Sequence, residues 1–393
     1  MKISCHSRHW AKFQLKFLSL ILISAVHSTA SAQFNFTLDL MLAKNQTAST
    51  EKCPECAGVI RTHTVAPSDQ PLSLSPPVRP EPLDSKLAPL ARAMTSRSSV
   101  GLLVLQGNQV LYEGYTDGVS GQTGLVSFSR AKSVISLAVG KALCDGKISS
   151  LDVQAQSLAP ELSETVYGRA KISSLLMMAS GAATGLPHGE TVPGETVRWL
   201  QGVKSQLQTL KEYKSEALSP FSKTAEGSFK YKNQDTSALT LVLQSVYGGK
   251  TSDWFDELVW KPVRAESPVQ WALDKDGVPI GPSFFVASTR DWGRLGLYIN
   301  QTLRGENQES CLRDYLRQAT SRLISTGNQQ FQGYGYQMWT NNYRNRTGEI
   351  VWFRGVGGQL VALHPRSNSV LVYTSLNDSI TDQVASAFVN LVN

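Results

Sequence analysis

From Ala131 to Leu143 the chain carries apolar residues on nearly every side of a helix: Val134, Ile135, Leu137, Ala138, Val139, Ala142 and Leu143. A helix without a polar face belongs inside a core. The fold must therefore supply packing layers all round this segment. At its head stands Val126-Ser-Phe-Ser-Arg-Ala-Lys132, with Ser129 and Lys132 three residues apart. Positions three apart share one helical face, so hydroxyl and amine meet in one small space. That is the arrangement in which a lysine takes the proton of a serine nucleophile. Burial of the lysine favours its neutral, proton-accepting form. The same spacing at Ser49 and Lys52 falls in a polar stretch with no helix behind it. Spacing alone therefore does not define a site; the rest of the chain has to.

The 393 residues are 41% hydrophobic and 18% charged, a globular composition sufficient for one large domain or two interleaved lobes. Four positive charges (Lys2, Arg8, Lys12, Lys16) and no acid occur in residues 1–32; taking those four from the net +7 leaves +3. The basic balance thus belongs partly to a leader and marks no nucleic-acid surface. Basic residues, then Phe17 to Val26, then Ala30-Ser31-Ala32, read as a secretory signal peptide cleaved between Ala32 and Gln33. Its apolar run is too short to span a bilayer, which takes about 20 residues. The expected location is periplasmic or secreted, with no stable membrane anchor.

Residues 33–82 are polar and Pro-rich and read as an extension or linker. The domain is expected over residues 83–393. Of the five cysteines, Cys5 lies in the leader. Cys53 and Cys56 are read as a local disulfide, the usual state in an exported chain. Cys144 and Cys311 read as small core residues, with a bond between them as the alternative.

A helix near Leu83–Ala91 precedes a hairpin, Val100–Leu105 and Gln109–Tyr115, turning at Gln106-Gly107-Asn108. The apolar helix ends at Asp145-Gly146, a glycine stop. Residues 194–217 read as one amphipathic surface helix, an apolar helix is expected over 238–246, and a further helix over 289–300. Strand patterns return at 335–339, 351–353, 359–363 and 369–374, before a last helix over 380–392. The expected fold is α+β: an antiparallel sheet of about five strands flanked by helices, with a mainly helical lobe inserted.

In this order the features resemble the serine β-lactamase and penicillin-binding-protein-like hydrolases. The likeness is to the class C branch with its esterases and 6-aminohexanoate-dimer hydrolases. It runs from about residue 83 onward and rests on Phe128-Ser-Arg-Ala-Lys-Ser133 after the hairpin, Ile172-Ser-Ser-Leu-Leu-Met-Met-Ala-Ser-Gly181, Tyr231-Lys-Asn233 and Ser288-Thr-Arg-Asp-Trp292. The resemblance implies the β-lactamase/transpeptidase-like fold, Ser129 as acylated nucleophile, Lys132 as its base and Tyr231 as a second proton carrier. A phenol ordinarily titrates near 10, so it needs a cationic neighbour to act as a base, and Lys132 is the expected source of that field. Asn233 would orient Lys132 or a substrate amide, or simply cap its helix. Tyr298-Ile-Asn300 and Tyr343-Arg-Asn345 repeat the spacing, the first inside a helix and the second in a polar loop.

The third family motif, a strand led by lysine or histidine, departs here: Arg354-Gly-Val-Gly-Gly-Gln359 follows Val351-Trp-Phe353. The expected oxyanion hole pairs the backbone N–H of Ser129 with that of Val356. Arg354, Gly355 and Gly357 are expected along the substrate. Without the leading cation, an ester or amide is favoured over a β-lactam. Other chemistries lack their signatures: there is no Gly-x-Ser-x-Gly and no His-Glu-x-x-His. His63, His188 and His364 are not spaced as metal ligands. No metal or cofactor is expected, and the partner is a small-molecule or peptide-like substrate. The expected activity is that of an exported serine hydrolase forming an acyl-enzyme. A β-lactam or D-alanyl-peptide hydrolase and a non-catalytic peptide or cell-wall binder of the same fold are the alternatives.

Overall fold

The computed structural model describes residues 60–76, 85–183, 195–215, 227–328, 330–342 and 349–393. The leader and its cleavage site, Cys5, Cys53, Cys56, His188 and Tyr343–Asn345 lie outside them.

Along the chain, strand β1 (Thr62–Val65) precedes helix α1 (Ala88–Ala93), the hairpin β2 (Ser99–Gln106) and β3 (Gln109–Tyr115), and β4 (Gly124–Ser127). The apolar helix α2 (Ala131–Cys144) opens a mainly helical stretch that includes α3 (Ile172–Leu176), the ribbon β5 (Ala182–Ala183) and β6 (Lys214–Ser215), and α4 (Asn233–Val246). Then come β7 (Val269–Ala272), β8 (Phe285–Ser288), α5 (Thr289–Arg304) and α6 (Ser310–Ala319). The chain closes with β9 (Ile324–Ser325), β10 (Phe331–Tyr334), β11 (Trp339–Asn342), β12 (Val351–Gly355), β13 (Gln359–His364), β14 (Ser369–Ser375) and α7 (Thr381–Val392).

The main sheet has eight strands in the order β3-β2-β14-β13-β12-β11-β10-β9, all antiparallel. The five strands expected from the pattern, β3-β2-β14-β13-β12, are its first five; three more extend it. The run expected as one strand over 335–339 is instead the reversal between β10 and β11. Gly335 and Gln337 explain this: a Cβ on Gly335 would lie 2.0 Å from the Ala319 carbonyl oxygen, and Gln337 is left-handed at φ 56.

β2 is buried along almost its whole length, because the sheet is covered on both faces and alternate residues feed different layers. Leu102, Val104, Leu360, Ala362 and Leu371 pack with Leu90 of α1 and Phe388 of α7. Leu103, Leu105, Val361, Leu363 and Val370 pack with Trp292, Leu295 and Ile299 of α5, in the same core that surrounds α2. Gly296 lets α5 settle on the sheet, since a Cβ there would lie 2.7 Å from Val370 and 2.8 Å from Leu363.

A second sheet, β1-β7-β8-β4, was not foreseen. Its edge strand β1 lies within the stretch read as an extension, and pairs antiparallel with β7 from Thr62↔Ala272 to Val65↔Val269. Four-residue strands without clear alternation leave too little signal to recognise one at a time.

Two further readings change. Of the run over 194–217 expected as one surface helix, the described part, 195–215, contains two short helices, Glu195–Leu200 and Gln206–Leu210. A capping box at Ser205 and Gln208 starts the second, and Trp199, Leu200 and Leu210 are buried rather than at the surface. Cys144 and Cys311 are bonded, with Cα atoms 5.7 Å apart, joining the end of α2 to the start of α6.

Candidate active site

Ser129 sits in the turn between β4 and α2, and the amide N–H groups of Ala131 and Lys132 already bond to the carbonyls of Phe128 and Ser129. Ser129 remains half-buried while Phe128, Arg130, Ala131, Lys132 and Ser133 around it are buried. The hydroxyl is thus the accessible point of a buried segment.

Lys132 Nζ lies 2.9 Å from Ser129 Oγ and donates a second hydrogen bond, 3.0 Å, to the Pro282 carbonyl. Lys132 is 1% exposed. Burial pushes its pKa well below the ordinary lysine value, which favours the free amine. Arg130 points the other way, its guanidinium 4.9 Å above the Trp292 ring in the core; burial alone brings its pKa down to about 9.

Tyr231 reaches the same point from the far side of the helical region. Its segment is carried by the loop after α3, where the Met178 carbonyl accepts from Lys230 N–H (2.8 Å) and Met178 Sδ from Lys232 N–H (3.4 Å). Met178 holds a left-handed φ of 57 to do so, a strain of the kind stored near functional sites. The Ser129 hydroxyl is near enough to the Tyr231 phenol to favour its ionised form, and Lys132 Nζ lies 5.1 Å from the Tyr231 ring centre. Burial raises the phenol to about 12, against the lowering effects of the Ser129 hydroxyl and the Arg354 charge. Arg354 thus acts as a cation on Tyr231, beside the expected source, Lys132, whose burial disfavours its charge.

Arg354, next to last in β12, has its guanidinium 4.0 Å from the Phe331 ring centre and 5.3 Å from that of Trp339. Burial lowers its pKa, and Asp378, Tyr231 and Asp382 draw it back up. Trp339 also meets Tyr231 in a tilted pair at 5.4 Å, and Tyr334 and Phe229 edge to face at 5.0 and 5.9 Å. These aromatics form one wall of the site. The β10–β11 hairpin that bears Phe331, Tyr334 and Trp339 is held in place by Gln337. Its side-chain Nε2 donates to the Leu175 carbonyl (2.9 Å), its Oε1 accepts from Thr236 Oγ1 (2.7 Å), and its carbonyl accepts from Ser133 Oγ (2.8 Å). One glutamine thus joins α2, α3 and α4 at the site.

The third motif is a hairpin turn rather than a continuing strand: β12 ends at Gly355, and Val356-Gly357-Gly358 turn into β13. Val356 packs against the cluster that contains Val126, Phe128 and Phe284, which sets the turn beside the nucleophile. Gly357 and Gly358 have φ 82 and 79. A Cβ on Gly358 would lie 2.4 Å from the Asn377 carbonyl oxygen, so glycine is required where this turn docks.

Asn233 occupies the first turn of α4, one residue past the N-cap position held by Lys232. The two hydrogen bonds of Lys132 go to Ser129 and Pro282 rather than to Asn233. Tyr298 and Asn300 bond to Glu309 and to the Ser369 carbonyl, which is structural work within α5 and its neighbours. His63 pairs with Asp256 at 2.6 Å, and His364 Nδ1 bonds Ser367. Among the described residues, no group of three or more His, Cys, Asp or Glu is placed to hold a metal ion. No helix there is long and apolar enough to cross a membrane.

Residues 87–387 match the profile of the beta-lactamase family. The chain belongs to that family. It is 23% identical over 345 residues to a 6-aminohexanoate-dimer hydrolase of Paenarthrobacter ureafaciens, covering 81% of this chain and 82% of the relative. A putative 6-aminohexanoate-dimer hydrolase from Bacillus anthracis has the same fold: TM-score 0.67, 19% identity, 86% of this chain and 90% of that one. So does a penicillin-binding protein from Bacillus halodurans: TM-score 0.57, 16% identity, 78% and 99%. The β-lactamase/transpeptidase-like architecture expected from the order of motifs is thus the observed one. Gln337, Trp339 and Phe229 were not foreseen; their contacts with α2, α3, α4 and Tyr231 join residues far apart in sequence.

Proposed function

We propose that this beta-lactamase-family chain is an exported serine hydrolase that cleaves an ester or amide through an acyl-enzyme on Ser129. The observation that carries the reading is the buried Lys132 amine 2.9 Å from the half-exposed Ser129 hydroxyl. In this scheme the neutral Lys132 accepts the Ser129 proton as Oγ attacks the substrate carbonyl. The oxyanion forms against the N–H groups of Ser129 and Val356, at the head of α2 and in the third-motif turn. Tyr231, still protonated at neutral pH, passes a proton to the leaving group, and Arg354 stabilises any phenolate character that develops. Water then releases the acid by the same route in reverse. The named activity of the Paenarthrobacter relative supports an amide among the substrates. The Cys144–Cys311 bond supports export, since disulfides persist in oxidising compartments.

A second reading has one observation in its favour. Arg354 returns a cation to the third motif beside Tyr231, which suits a substrate with a carboxylate, as in a β-lactam or D-alanyl peptide. A fluorophosphonate and a fluorescent penicillin separate the readings. Labelling by the fluorophosphonate, abolished in Ser129→Ala, is the expected result; labelling by the penicillin as well favours the second reading. Labelling by neither, with Ser129→Ala unchanged in every assay, leaves the fold as a non-catalytic binder.

A further inference from the structure

Gln359 opens β13 and is fully buried. Its side chain reaches from the main sheet to the chain leading into Ser129. The amide Nε2 donates to the Val126 carbonyl at 2.9 Å, and Oε1 accepts from Phe128 N–H at 3.3 Å. Both partners lie on the approach to Ser129. β4 is the last strand of the four-stranded sheet and pairs on its other side with β8. The Gln359 amide, with one donor and one acceptor, therefore takes the place of a ladder rung across the gap between the two sheets. Room for it comes from Gly355, its register partner: a Cβ on Gly355 would lie 2.8 Å from Gln359 Oε1. Gly355 thus makes space for this link.

The link joins two short stretches that matter together. On one side, Phe128 immediately precedes Ser129. On the other, Gln359 immediately follows the Val356–Gly358 turn, whose far side is docked through Gly358 on Asn377. We propose that Gln359 is a positioning residue that sets the separation of the two oxyanion-hole N–H groups, those of Ser129 and Val356. The assignment rests on the serine hydrolase reading above. Gln359 touches no reacting atom; it acts by holding the nucleophile turn and the third-motif turn at one spacing. Donors aimed at a developing oxyanion act through sub-ångström placement, so loosening this rung should lower turnover more than substrate binding.

The test uses the full chain and p-nitrophenyl butyrate. Gln359→Met keeps length and apolar bulk but removes both hydrogen bonds. Its expected kcat is about 100-fold lower, the size seen on losing one oxyanion donor, with KM changed by less than about threefold. Gln359→Glu gives a signature that a packing role would not. A protonated carboxyl donates to Val126 O and accepts from Phe128 N–H as the amide does, whereas a carboxylate faces the Val126 carbonyl with no proton. Its kcat relative to the unmodified protein should therefore recover by about tenfold or more as pH falls through the pKa of this buried carboxyl, which desolvation raises. Should Gln359→Met not fold, this pH ratio still decides the matter. Hydrogen–deuterium exchange provides a readout independent of turnover: Gln359→Met should exchange faster across 126–130 and 355–360 and unchanged elsewhere. A folded Gln359→Met with full kcat, or Gln359→Glu tracking the unmodified protein at every pH, overturns the assignment. Absence of Ser129-dependent turnover in the unmodified protein, by contrast, defeats the hydrolase reading itself.

Discussion

Lys132 and Glu195 are both buried ionisable residues, and burial acts on them with opposite sign. The folded state disfavours the ammonium of Lys132, so the unfolded chain binds a proton that the folded chain resists. Stability then rises with pH toward the ordinary lysine value near 10.4. Lys132→Met should be more stable than the unmodified protein at pH 7 in urea titrations, with the gap narrowing toward pH 10. Its acylation rate should fall by about 10²–10⁴-fold, the usual worth of a general base. Glu195 accepts from Gln234 Nε2 and, at 3.3 Å, from Tyr213 O–H. Burial pushes it up to about 7, against Tyr213, Gln234 and Lys204, while Glu212 adds to the rise. Here the folded chain holds the proton more tightly, so the stability this provides is present below the unfolded value near 4.3 and lost as pH rises through about 7. Glu195→Gln mimics the protonated form. It should match the unmodified protein near pH 4–5 and exceed it at pH 8 by on the order of 1–3 kcal/mol.

At the scale of elements, α2 is held at both ends. Its head carries Ser129 and Lys132, and its tail is bonded through Cys144 to Cys311 of α6. Between them Gly140 packs so closely on Tyr315 that a Cβ would lie 2.4 Å from the ring, and Ser136 Oγ lies 3.0 Å from Tyr315 O–H. The bond closes a separation of 167 residues, a long loop whose closure restricts the unfolded chain strongly. Replacing both cysteines by alanine should cost about 2–5 kcal/mol, read as a lower midpoint in guanidinium. Ser129 labelling at 25 °C should persist, because the bond lies at the far end of the helix from the hydroxyl. The α2 segment was legible in sequence because its apolar surface is continuous. The pairing of Cys144 with Cys311 was not, because nothing local to either cysteine encodes which helix lies beside it.

For the whole molecule, two sheets meet around the nucleophile turn, and β1 is the outer strand of the smaller one. Beyond β1, Ser68 and Leu72 donate backbone hydrogen bonds to Ala265 and Arg264, and Arg294 Nε donates to the Leu72 carbonyl at 2.8 Å. A chain beginning at residue 85 loses this cover and leaves β7 as a bare edge open to pairing with other chains. It should aggregate at lower temperature than the full chain in light scattering, whereas removal of residues 1–32 alone should not have this effect.

What the sequence determines by itself is whatever repeats locally: the apolar helix, the β2–β3 hairpin, the apolar strands near the end, and the Ser129–Lys132 pair at the head of the helix. Each is written in residues a few positions apart, where periodicity and turn chemistry act directly. The tertiary structure alone decides what depends on distant neighbours. Four-residue strands acquire partners and become a second sheet. Arg354 becomes a cation acting on Tyr231 because β12 ends beside it. Gln359 becomes the tie between two sheets because the Val126 carbonyl and the Phe128 N–H lie across from it. A buried amide or charge takes its meaning from what surrounds it, and those surroundings exist only once the chain has folded.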